Sequence, residues 1–182
     1  MRRLIRRWIA RIGSNILKAI VFAVCSLPAL AETAILECTA DAGALGGQVV
    51  TRGREVKAPA LLLLSFRSWN VTRWNVESAK LFVHVAHGDT PSAVEVAGIP
   101  QAWGEIQPPR LDIGKLHFVS RKATDEPERW LAVDVPAALV EDVAANRAHG
   151  FVLRFKSTKD LTIHTRESVT YSPYLIVTGT PR

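Results

Sequence analysis

Ala79-Lys80-Leu81-Phe82-Val83-His84-Val85 has the period of two of a half-buried strand, with Leu81, Val83 and Val85 on one face and Lys80, Phe82 and His84 on the other. Leu61-Leu62-Leu63-Leu64 breaks that alternation: a continuous apolar run after Pro59 suits a central strand within 59–67. Further short strands are predicted over Ala34–Thr39, Ala93–Ala97, Leu116–Arg121, Trp130–Val135, Phe151–Lys156, Leu161–His164 and Tyr174–Thr178. Turn chemistry separates them, as at His87-Gly88-Asp89-Thr90-Pro91 and Gln107-Pro108-Pro109-Arg110. One segment is helical: Pro136–Ala148 spaces Leu139, Val140 and Val143 on one face, opens on a proline and stops at Gly150. Eight or so strands, one short helix and no βα alternation predict an all-β fold, an antiparallel β-sandwich.

The N-terminal segment, up to Ala31, follows a different pattern. Arg2, Arg3, Arg6, Arg7, Arg11 and Lys18 are unopposed by any acid, and Ala19–Ala31 carries no charge at all. That uncharged stretch has the length of a signal-peptide apolar region and is short of the roughly 20 residues a membrane span needs. Ala29-Leu30-Ala31 has the small-x-small pattern of a cleavage site, and Pro28 breaks the helix before it. The expectation is a signal peptide over 1–31, cleaved after Ala31, then a single domain over 32–182 in a secreted or periplasmic protein with no transmembrane span. An uncleaved amphipathic anchor is the alternative.

Charge takes its meaning from that division. The chain has 23 Lys and Arg against 17 Asp and Glu, a formal charge of +6. Without the six basic residues of the leader, 17 basic residues face 17 acidic ones. A neutral domain has no net drive to release counterions from a polyanion, so nucleic acid is not an expected partner.

Enzyme chemistry is thinly represented. No Gly-x-Ser-x-Gly elbow, His-Glu-x-x-His helix or phosphate loop appears. Cys38, alone after the leader, lies in a strand pattern and reads as a buried, inert thiol. His84 and His87 stand three apart, which a regular pleat sends to opposite faces, so they do not share a metal. Asp125-Glu126-Pro127-Glu128 offers oxygen ligands of the kind calcium takes, but reads first as a solvated loop. No cofactor or metal is expected. Arg166-Glu167 reads as a pair with one inward charge met by a buried partner. The most aromatic polar stretch is Arg67-Ser68-Trp69-Asn70-Val71-Thr72-Arg73-Trp74-Asn75. Sugar rings are recognised by flat aromatic faces flanked by amide or guanidinium donors. Trp69, Arg73, Trp74 and Asn75, with Trp103 on a second irregular segment, are the candidate ligand-binding residues; plugging of the core by the same tryptophans is the competing reading.

The order of these pieces resembles a known family. Leu36-Glu37-Cys38-Thr39-Ala40-Asp41-Ala42-Gly43 is similar to the opening strand of the DNRLRE domains. Leu61–Phe66 followed by Val76–Val83 is similar to that family's "LLRFDL … SATLRLYV" pair, and Trp130–Val135 to its "W-x-x-FDVT" strand. His164-Thr165-Arg166-Glu167-Ser168 with Ser172-Pro173-Tyr174-Leu175-Ile176-Val177 resembles the closing "SRE…RPxLxV". The resemblance spans nearly all of residues 35–179. It implies a jelly-roll-like sandwich, exported, related to carbohydrate-binding modules. The function expected is a non-catalytic binding domain for polysaccharide or cell-surface glycan. A surface or periplasmic protein-interaction scaffold is the first alternative. The second is a jelly-roll polysaccharide lyase or hydrolase, which requires His84, Arg121 and Arg154 to meet in one groove.

Overall fold

The computed structural model describes residues 30–45, 48–50, 53–57, 60–156 and 160–182, with the side chains of Ala44, Leu45, Trp69 and 48–50 outside that description. The leader read over 1–31 falls, but for its last two residues, outside the described residues. Among the described residues no helix is long and apolar enough to cross a membrane.

Among the described residues, eleven strands and one α-helix form in chain order: β1 (Glu32–Leu45), β2 (Gln48–Val50), β3 (Glu55–Lys57), β4 (Leu61–Phe66), β5 (Trp74–His87), β6 (Ala93–Gly98), β7 (Val119–Glu126), β8 (Trp130–Asp134), α1 (Ala137–Ala144), β9 (Phe151–Arg154), β10 (Thr162–His164) and β11 (Tyr174–Pro181). All pairings are antiparallel. Eight strands close a ring in the order β1-β4-β9-β6-β7-β8-β5-β11, and β11 returns to β1. The expected sandwich is therefore corrected to a closed eight-stranded barrel with one short helix.

Two strands effect the closure by changing partners along their length. β1 pairs β11 over Glu32–Glu37 and β4 from Cys38 onward, with an irregularity between Cys38 and Ala40. β7 pairs β6 from Val119 to Lys122, then β8 from Ala123 to Glu126. A bulge bends a strand and sharpens its twist, so one strand turns the corner between two sheets and leaves neither with an open edge there.

The alternation in β5 is realised, with Leu81, Val83 and Val85 inside. They join Leu36, Leu62, Leu64, Leu131, Phe151, Leu153 and Leu175 in the barrel core. The apolar run of β4 has a different cause: Leu62 and Leu64 face this core, while Leu61 and Leu63 face outward into a second apolar cluster with Ile99 and Val152. Both faces of β4 are covered, so alternation is lost. α1 packs Val140, Val143 and Ala144 against the barrel core. It ends earlier than the sequence suggests, at a turn in which Asn146 takes φ 57° and the Asp142 carbonyl accepts from the backbone N–H of Arg147 and Ala148.

Two other boundaries move. β7 begins at Val119, because Leu116 and Phe118 turn onto the outer cluster instead of pairing. Asp125 and Glu126 belong to β7, and Pro127–Arg129 forms a tight turn in which both Glu128 (φ 58) and Arg129 (φ 65) take left-handed backbone angles. Arg129 fixes that turn by donating from Nε to the Val85 carbonyl (2.9 Å) and from a terminal nitrogen to that of Gly88 (2.7 Å).

Candidate functional site

The outer face of β4, β9 and β6 would expose Leu61, Leu63, Val152 and Ala97 if left bare. Residues 99–118 cover it. Pro100, Pro108 and Pro109 lack the N–H needed to extend a ladder, so this segment crosses the sheet as an irregular strap. Ile99, Trp103, Leu111, Leu116 and Phe118 pack on the cluster beneath. Gly104 and Gln107 exchange backbone hydrogen bonds of 3.4 and 3.0 Å, closing a tight turn directly after Trp103.

Trp103 is half-buried, and its indole N–H donates to the His149 carbonyl at 3.0 Å. A pinned indole has lost its rotamer freedom before any ligand arrives. Between strap and sheet runs a groove of about 860 Å³ lined by Leu61, Leu63, Gln101, Gln107 and Arg110 among others. A second depression of about 640 Å³ shares Gln107 with it and is lined by Trp103, Thr39, Ser65 and Glu105. Together the two linings offer one indole, two amides, one guanidinium, two hydroxyls and the Glu105 carboxylate over apolar strand residues.

A charged cluster anchors one end of the strap. Glu105 accepts from Arg166 Nε at 2.8 Å and from a terminal nitrogen at 2.7 Å. Arg166 also reaches Glu167 at 3.4 Å, and its backbone N–H donates to Asp41 Oδ2 at 2.6 Å. Asp41, at 2% exposure, is bound by the Arg166 backbone, whereas the guanidinium charge is met by the partly exposed Glu105 and Glu167 and not by the buried partner expected. Asp41, Glu105 and Glu167 oxygens lie within 4.8 Å of one another. The position that would suit a cation is served by the guanidinium of Arg166, and among the described residues Asp125, Glu126 and Glu128 belong to no such group.

Burial, helped by the charges of Glu167 and Glu105, pushes the Asp41 carboxyl up to about 6 although the Arg166 backbone N–H pulls it down. The folded chain thus holds this proton more tightly than the unfolded chain, whose carboxyl titrates near 3.8. The contribution of Asp41 to stability is greatest below about pH 4, falls as pH rises to about 6 and stays low above, by about 3 kcal/mol in all. Asp41→Asn keeps an acceptor for the Arg166 N–H and is expected to flatten this slope. Urea denaturation of parent and variant between pH 4.5 and 8 measures it.

The residues picked from the sequence do not form one site. Trp74 is 9% exposed and packs in the barrel core with Val71, so it closes the barrel and offers no face to a ligand. Asn75 is exposed, but its Oδ1 accepts from Arg182 Nε at 2.7 Å. The exposed Arg73 accepts at its backbone carbonyl from the Arg182 N–H. The Trp69 side chain lies outside the described residues. Trp103 stands apart from them, on the strap, and the groove residues Gln101, Gln107 and Arg110 carry no sequence signal beyond belonging to an irregular proline-rich segment.

His84, Arg121 and Arg154 are not brought together either. Arg154 pairs with Glu95 at 2.6 Å and lies 3.9 Å over the Phe118 ring, against the strap side. His84 faces outward from β5, beside Trp130 of β8 and Tyr171. Cys38 is buried and donates to the Ala40 carbonyl at 3.3 Å, and burial pushes its thiol far up, which makes it the inert thiol expected. Trp130 stands half-buried outside the barrel, because Leu131 and Val133 take the inward positions of β8. Neither models of known protein families nor the curated proteins match this chain.

Proposed function

We propose that this chain is an exported, non-catalytic binding domain for polysaccharide or cell-surface glycan, and that the ligand lies along the groove beside Trp103. The observation that carries this reading is a pair of adjoining depressions that share Gln107, one lined by the pinned Trp103 and the other by Gln101 and Arg110. A pyranose presents a C–H face that an indole covers and a rim of hydroxyls that amides and guanidinium bind. The ordered strand resemblance to DNRLRE domains and the leader pattern of residues 1–31 support the same reading. It moves the ligand site from Trp69, Arg73, Trp74 and Asn75 to the strap, retaining Trp103.

Affinity electrophoresis through gels containing a panel of neutral and acidic polysaccharides tests it. At least one polysaccharide is expected to retard the parent. Gln107→Ala and Arg110→Ala, both at exposed positions, are expected to lose about tenfold in affinity, roughly 1.4 kcal/mol, at unchanged thermal midpoint. Equal retardation of parent and both variants on every retarding polysaccharide would count against the groove.

A protein partner is the second reading. Ile106 and Val169 are 90% and 93% exposed, and they follow closely on Glu105 and Arg166, the two ends of one ion pair. Two bare aliphatic side chains on loops so joined suit an apolar contact with another protein.

A further inference from the structure

Outside the groove, a row of histidine and aromatic side chains stands on the outer face of β5. The register that sets Ile163 opposite Val85 brings His164 of β10 beside His84. Their ring centroids are 4.9 Å apart. Tyr171 stacks against both, at 3.9 Å from His84 and 4.9 Å from His164, and Trp130 meets His84 edge-on at 5.2 Å. His84 is buried, at 7% exposure, and its Nδ1 has no hydrogen-bond partner. Phe82 and Tyr174 continue the row but stack on each other at 4.7 Å and 5°, so their faces are already used and the row is no sugar platform.

We propose that His84 and His164 form a two-histidine site for a divalent transition-metal ion of the zinc or copper class. Two features carry the proposal. The first is an open lone pair: His84 Nδ1 is buried without a hydrogen-bond partner, so with the ring proton on Nε2 it is left as a ligand atom. His164 Nδ1 lies 3.3 Å from the Arg54 carbonyl and 3.8 Å from a Glu55 carboxylate oxygen. A proton on that Nδ1 donates to the carbonyl and leaves Nε2 as the lone-pair atom, an outer-shell arrangement that raises ligand basicity.

The second feature is spacing. Zn–N bonds of about 2.0–2.1 Å put each ligating imidazole centroid about 3.2 Å from the ion, so two rings at a tetrahedral angle have centroids about 5.2 Å apart. The 4.9 Å observed matches this with little movement. The rings facing His84 are His164 of β10, Tyr171 and Trp130 of β8. The His164 side chain is 16% exposed and forms the open side of the site; water completes the coordination.

Isothermal titration of the tag-free protein with zinc chloride at pH 7.5 tests the proposal. One zinc ion per chain is expected, and zinc is expected to raise the thermal midpoint. His84→Phe and His164→Phe, which keep an aromatic ring in the row, are each expected to weaken binding by about tenfold or more. His87→Ala and His117→Ala, at exposed positions, should bind as the parent does. Should His84→Phe not fold, His164→Gln at the open side decides. No zinc-dependent heat or midpoint shift in the parent, or parent affinity in His164→Phe and His164→Gln, would overturn the site. Glycan retardation by these variants is expected to match the parent, which separates this test from that of the groove.

Discussion

Gly150→Ala is expected to destabilise the fold by about 3–5 kcal/mol. Gly150 sits directly before β9 at φ 124°, a conformation that side chains rarely adopt. A Cβ there would run into the Leu64 carbonyl oxygen, with the Leu64 carbonyl carbon at 3.0 Å and Ser65 Cα at 3.1 Å. These are backbone atoms of β4, whose Leu64 is registered with Phe151. They cannot retreat without opening the β4–β9 ladder and shifting the ring of Phe151, which is fully buried. Backbone strain of about 1–3 kcal/mol and a steric term of about 1–3 kcal/mol add because they come from different sources. Gly104→Ala is the control: nothing lies within 4 Å of an added Cβ, and a change within about 0.5 kcal/mol is expected. Urea denaturation of both variants measures the contrast. A Gly150→Ala protein as stable as its parent would mean that β4 and β9 do not adjoin as described.

Arg166→Ala is expected to cost about 2 kcal/mol at pH 8, from the lost charged hydrogen bonds, and clearly less at pH 5. The guanidinium lies among Asp41, Glu105 and Glu167, and removing it leaves three carboxyl groups within 4.8 Å of one another without their shared cation. Charged hydrogen bonds contribute about 1.5–3 kcal/mol each when buried; Arg166 is 38% exposed, so solvent screening reduces the loss toward the lower end. Lowering the pH neutralises Asp41 first, whose carboxyl already titrates at about 6, and relieves the repulsion. The midpoint difference between parent and variant, followed from pH 8 to pH 5, should shrink steadily. A constant difference would assign Arg166 a packing role through its aliphatic stem instead.

The strands are legible in the sequence because they obey local rules. Leu81, Val83 and Val85 alternate because only one face of β5 looks into the barrel core, and Leu61 to Leu64 do not because both faces of β4 meet an apolar cluster. The closure of the barrel is not legible. It depends on β1 and β7 each serving two neighbours, and the bulge at Cys38–Ala40 that bends β1 has no residue signature in an otherwise regular strand pattern. Trp74 misleads for a related reason. A polar stretch with two tryptophans reads as a binding loop, whereas β5 already begins at Trp74 and carries its indole inward.

The candidate site is legible at Trp103 alone. Gln101, Gln107 and Arg110 become a lining only because the strap doubles back over β4, and the Glu105–Arg166 pair joins residues 61 positions apart. His84 and His164, far apart in the chain, meet through the β5–β10 register. Pairings of that range are set by topology, which the hydrophobic pattern does not encode.

The central claim is that glycan binds along the strap groove. Titration of isotopically labelled protein with whichever polysaccharide of the panel retards it most, followed by two-dimensional amide spectra, tests this most directly. Concerted shifts of the Trp103 indole N–H and of the Gln101 and Gln107 side-chain amides are predicted, while the Trp74 and Trp130 indoles stay fixed. No shift with any polysaccharide, or shifts confined to Trp130 and the strands beneath it, would contradict it.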